Sequence, residues 1–145
     1  MREYNYNLAL LALVCRCYDR TREAHVLLKD AADPHNLKLE LSPTEITSLL
    51  NAAGVPCVAW VAPPREVPPA IQAMADRGHV VLVQFPANIG PAYASWGVLE
   101  VSMPTEQRVL TLWHDDSTKR YPRPLVAYAS GSLVVTRHAL PIINR

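Results

Sequence analysis

Residues 3–18 read EYNYNLALLALVCRCY, and the way this run folds decides where everything else can sit. It contains neither Gly nor Pro and is rich in Leu and Ala, so a helix is expected over Tyr4 to Tyr18. A helix that is apolar on almost every side has to be buried on every side, which makes it a central rod and not a surface element. Its two cysteines, Cys15 and Cys17, stand at the far end, while the start carries Asn5 and Asn7.

The rest of the chain is organised around that rod. Asp19 to Ala32 continues helically after a break and stops at Asp33-Pro34. LKLEL, Leu37 to Leu41, alternates like a short half-buried strand. Ser42-Pro43-Thr44-Glu45 carries a cap, a proline at the first helical position and a glutamate three residues past the cap. The helix it opens places Ile46, Leu49 and Leu50 on one side and closes at Gly54. VPCVAWVA (Val55 to Ala62) reads as a strand, Pro69 to Arg77 as a helix ended by Gly78, and HVVLVQF (His79 to Phe85) as a buried strand. Strand, helix and strand with short joints are the grammar of a crossover. Beyond the loop PANIGPAYA only strand patterns follow: SWGVLEVSM, RVLTLWH, PLVAYA and SLVVTRHAL. Helices gathered in the first half and consecutive antiparallel strands in the second define an α+β domain.

Length and composition set the bounds. A chain of 145 residues fits one domain, residues 1–145, burying roughly two thirds of the surface its unfolded form exposes. Half of its residues are hydrophobic and 19% charged, a globular composition. A formal charge of +1 without a Lys/Arg run argues against nucleic acid as partner. Three cysteines form no framework spacing, so free thiols in a reducing compartment are expected, with a cytoplasmic location. The apolar run Leu8 to Cys15 is far shorter than the ~20 residues of a membrane span. ALVC is discounted as a lipoprotein signal because Val14 precedes Cys15 where a small residue belongs.

The order and spacing of these elements resemble the papain-like peptidases that cut double-glycine leaders from bacteriocins, over most of the chain. NLALLALVCRCY is similar to the family's buried first helix, with Asn7 where the nucleophilic cysteine would sit. SPTEITSLLNAAG resembles its "serine, acidic, leucines, glycine" helix, and EVPPAIQAMADRGHVVLVQF its short helix and following apolar strand. The family's histidine, aromatic and valines find their counterpart in Ser95-Trp96-Gly97-Val98-Leu99, and its aspartate at a strand end in RVLTLWHDD, at Asp115. The resemblance implies a papain-like domain that keeps its acid and has lost its nucleophile and its base. Asn7, Ser95, Trp96 and Asp115 should then converge at one end of a helix–sheet cleft, with Trp96 as a groove wall.

Other residues offer little substitute chemistry. A thiol attacks as thiolate, which a helix N-terminus and a neighbouring imidazole favour. Cys15 lies eight residues past Asn7, about 12 Å along the axis, at the end where the macrodipole disfavours an anion. Core packing is therefore the expected role of Cys15 and Cys17, and of Cys57 within its strand. Asn7 is expected to bond neighbouring backbone. No spacing among His25, His35, His79, His114 and His138 suits zinc, and no cofactor is expected. His114-Asp115-Asp116 is the most polar cluster, read first as a solvated turn before Ser117 and Thr118, with a divalent-cation site or a place to orient a partner as the alternatives. Lys119-Arg120 with YPRP reads as an extended stretch whose prolines disfavour pairing: a stiff linker or a docking segment.

Three functions follow in order of preference. The first is a non-catalytic peptidase-like domain binding an extended peptide or partner protein by strand addition. The second is a structural subunit, such as a bacteriophage tail-tip or baseplate component, which would place the protein in a virion. The third is an active cysteine peptidase using Cys17 or Cys57 with His79 or His114, for which geometry is the first obstacle.

Overall fold

The computed structural model describes residues 5–33, 41–61, 68–84, 96–99, 108–112, 118–122 and 132–141. Among them are four helices and six strands: α1 (Tyr6–Cys17), α2 (Thr21–Ala31), α3 (Pro43–Ala52), β1 (Cys57–Val61), α4 (Pro69–Asp76), β2 (Val81–Gln84), β3 (Trp96–Leu99), β4 (Arg108–Leu112), β5 (Thr118–Pro122) and β6 (Ser132–Thr136). The expected α+β class is observed.

Helix α1 begins where Asn5 caps it, its side chain accepting the Leu8 N–H at 3.0 Å. Such a cap satisfies one of the orphan donors at a helix start. Tyr6 to Ala12, Val14 and Cys15 are buried, so the rod is central. It is not buried all round, however. Leu13 is 41% exposed, and Arg16 and Cys17 are exposed with it. Positions three and four apart share a helix face, so the last turns show one stripe to solvent, and Cys17 is a surface residue and not core.

Three of the four helices end in the same way. In each, one residue with positive φ lets the next N–H reach back to the carbonyl five residues earlier, the six-to-one bond of a Schellman motif. Arg20 reaches Cys15 through Asp19 (φ 60°), Val55 reaches Leu50 through Gly54 (φ 85°), and His79 reaches Met74 through Gly78 (φ 102°). Asp19 is the one member with a side chain, and Asp is among the few such residues that adopt positive φ readily. The turn reverses the chain, and the Asn5 N–H bonds the Ala31 carbonyl at 2.9 Å. The start of α1 is thereby tied to the end of α2, whose Ala24, Leu27 and Ala31 face inward. Helix α3 starts with the full capping box: Ser42 Oγ accepts the Glu45 N–H at 3.1 Å and Glu45 Oε1 accepts the Ser42 N–H at 3.2 Å.

The strands form one sheet in the order β1-β6-β2-β3-β4-β5, every neighbouring pair antiparallel. The crossover through α4 does produce two parallel strands, β1 and β2, yet they are not neighbours. β6, the last strand in sequence, lies between them and is antiparallel to both. Side chains alternate between the two faces of a strand. Leu82, Val134, Trp96 and Cys57 join the core built on α1, α2 and α3. Val81, Val83, Leu133 and Val135 are buried in the opposite register, the face where α4 brings Ile71 and Ala75.

Two readings of short stretches change. Thr118 to Pro122 is a strand paired with β4, and not a linker. It lies last in the sheet, and an edge position is where Pro122 is tolerated, because a missing N–H there takes nothing from a second ladder. Leu41 is buried but stands outside any strand. The remainder of LKLEL and the whole of PLVAYA fall outside the described residues.

Candidate functional site

The sequence directs attention to the N-terminal end of α1. Asn7, on its first turn, is 1% exposed, and its Oδ1 accepts the backbone N–H of Trp96 at 3.3 Å. This amide therefore joins the start of the central helix to the start of β3, across 89 residues of chain. The Trp96 indole Nε1 donates to the Leu41 carbonyl at 2.8 Å, which fixes the segment entering α3 to the same corner. A buried indole N–H and a buried strand N–H both need partners, and these two bonds supply them.

Trp96 is wholly buried, so it belongs to the core and is not the wall of an open groove. An aromatic on the inner face of a central strand buries a large apolar surface, and the helix-facing register of β3 leaves it no route to solvent. Of the four positions expected to converge, Asn7 and Trp96 do meet. Ser95, Asp115 and the adjoining His114 and Asp116 lie outside the described residues.

None of the three thiols is tuned for attack. Cys15 is fully buried, and its pKa is pushed up to about 11, first by desolvation and then by the Glu23 carboxylate, with Arg20 opposing. Cys57 is also buried and pushed up to about 11 by desolvation against a smaller lowering by Arg137. Its Sγ faces the Thr47 carbonyl of α3 at 3.8 Å. Cys17 is exposed, yet desolvation raises its pKa as well. Thiolate chemistry near neutral pH needs the opposite shift.

A second polar cluster, which sequence reasoning did not find, lies at the other end of α1. The Tyr18 hydroxyl is 2.7 Å from Thr136 Oγ1 and donates to the His138 carbonyl at 2.6 Å. Thr136 Oγ1 accepts the Val80 N–H at 2.9 Å. His79 Nδ1 lies 2.7 Å from the Thr136 carbonyl, and facing an acceptor it must carry the proton. His79 is thus committed to the backbone of β6, which removes it from a role as general base through that nitrogen. The partners are more than fifty residues apart, so no local pattern announces them. Among the described residues no group of three or more His, Cys, Asp or Glu is placed to hold a metal ion.

The two edges of the sheet differ. β5 carries Lys119, Arg120 and Pro122, whereas β1 reads CVAWV with no charge, and Trp60 on it is 49% exposed. Charges and proline are the common guards against strand addition. No family model matches the chain, and comparison with curated proteins and with solved structures gives no match.

Proposed function

We propose that this chain is a non-catalytic domain of papain-like arrangement that works by binding, taking an extended peptide or a strand of a partner protein at the free edge of β1. The observation that carries this reading is the bond from Trp96 to Asn7. Where the resemblance would put a nucleophile beside its base, a buried amide holds the backbone of β3. A carboxamide offers no nucleophile, and this one is engaged in a backbone hydrogen bond. The three raised thiols support the same conclusion. Among the described residues the uncharged edge of β1, beside the half-exposed Trp60, suits strand addition, in which backbone hydrogen bonds give affinity and alternate side chains give selection.

Calorimetric titration with short extended peptides, such as alternating Val/Thr sequences, tests this. Binding accompanied by a change in Trp60 fluorescence, absent in Trp60→Phe, is the expected result. Hydrolysis of any such peptide, or no uptake of any of them by the edge, counts against the reading.

A further inference from the structure

The partner strand can be specified from the edge itself. Along an antiparallel strand the N–H and C=O groups of successive residues turn alternately toward one neighbour and the other. The Pro56 carbonyl accepts the Arg137 N–H at 2.8 Å, toward β6. Cys57 turns the other way: its N–H is bound by Asn51 Oδ1 at 3.0 Å and its carbonyl by Asn51 Nδ2 at 3.4 Å. Ala59 and Val61, in the same phase as Cys57, therefore present their N–H and C=O outward, and among the described residues no strand pairs with them.

Asn51 limits the register. A strand added at this edge cannot use Cys57, whose backbone is already taken by a side chain. Among the described residues the positions open to it are Ala59 and Val61, with Trp60 between them. An antiparallel copy of β1 related by a two-fold axis through Trp60 matches these positions to themselves: Ala59 pairs with Val61 of the copy, Val61 with Ala59, and Trp60 faces Trp60. The central pair is then of the non-hydrogen-bonded kind, in which opposed side chains approach most closely. The alternative axis through Ala59 would require Cys57 and is excluded by Asn51.

Charge selects between the two edges. A two-fold pairing of β5 would bring the cationic Lys119-Arg120 segments of two copies together, and like charges opposed across strands destabilise. The β1 edge carries no charge at all, so two copies meet there without repulsion and cover the exposed indole. We infer that β1 is a self-association edge, pairing with β1 of a second copy of this chain about Trp60 to make one continuous sheet. This rests on the reading of β1 as a binding edge and names its occupant. An interface of this type is smaller than the roughly 1,600 Å² of a standard complex, so the dimer is weak and reversible.

Sedimentation velocity of the full chain, from about 5 to 500 μM as fits a weak interface, tests the inference. The expected result is a concentration-dependent dimer that Ala59→Pro and Trp60→Lys each weaken about tenfold or more, while Lys119→Glu leaves it unchanged. The proline removes an N–H that only the second copy uses, and the lysine sets like charges face to face. Circular dichroism checks that each variant folds, and Trp60→Lys alone suffices if Ala59→Pro does not. A chain that stays monomeric throughout, or a dimer indifferent to the β1 variants, overturns the inference. A synthetic peptide copying residues 56–62, with Cys57→Ser, separates the two claims. A monomer that binds it overturns self-pairing and leaves the binding edge standing, whereas a monomer that ignores it overturns both.

Discussion

The Tyr18 hydroxyl, one residue beyond the central helix, lies 2.7 Å from Oγ1 of Thr136 at the end of the last strand. This contact joins an element near the start of the chain to one near its end, and Thr136 also receives the Val80 N–H. Tyr18→Phe removes the hydroxyl that serves both Thr136 and the His138 carbonyl, and a loss of about 1–2 kcal/mol is expected. Thr136→Val should cost more, up to about 3 kcal/mol, because it leaves the buried Val80 N–H without that acceptor. Urea unfolding of both variants checks the order. Equal, near-zero effects would show that the cluster contributes nothing to the junction.

At the other end of the helix, Asn7→Ala deletes the acceptor of the Trp96 N–H. A buried strand N–H losing a bond in this way costs roughly 1–3 kcal/mol, and Asn7→Asp should also destabilise, because a carboxylate there is buried. Thermal unfolding is the measurement, and a neutral Asn7→Ala would mean that the corner is held by apolar packing alone.

The two glycines that close helices make a graded pair. At Gly78 a Cβ would stand 2.5 Å from the Leu140 carbonyl oxygen, a backbone atom, at φ 102°. At Gly54 it would meet the Arg20 guanidinium carbon at 2.7 Å, at φ 85°, and a flexible side chain can move away. Gly78→Ala should therefore reach or exceed the upper end of the roughly 1–3 kcal/mol expected of strained backbone, and Gly54→Ala should stay near the lower end. The reverse order in denaturant titrations would contradict this packing.

Stability should fall on the alkaline side. The folded state keeps Cys15 and Cys57 protonated to about pH 11, whereas the unfolded chain loses those protons from about pH 8.5 upward. Between these limits the native state binds more protons, so the stability of the fold is full below about pH 8.5 and is lost as pH rises toward 11. Each thiol contributes on the order of 2 kcal/mol to that loss. Urea midpoints measured from pH 8 to 10.5 should decline, and the slope should lessen in Cys57→Ala. A flat profile would show that neither thiol is desolvated.

Much of this architecture is local and so was legible in the sequence. The capping box at Ser42 and Glu45, the closing glycines 54 and 78 and the apolar run of α1 each act within a few residues, and each appears as expected. Burial of Cys17 was not borne out, because composition describes a helix as a whole while its last turns can open a stripe to solvent. β5 was missed because the prolines of YPRP read as barriers to pairing, whereas at the edge of a sheet Pro122 is tolerated. The insertion of β6 between β1 and β2 depends on pairing across some seventy residues, which no local pattern encodes. Trp96 meets Asn7 inside the core and not at a groove wall, since face and depth follow from sheet order.

If the chain acts by binding, as proposed, none of its three thiols is an activated nucleophile. This is tested most directly by the rate of iodoacetamide alkylation of each cysteine in the native protein between pH 5.5 and 9, with free cysteine as reference. Cys17 alone should react, more slowly than the reference near neutral pH, while Cys15 and Cys57 stay protected until the chain unfolds. A thiol alkylated faster than free cysteine at pH 6 would contradict the proposal.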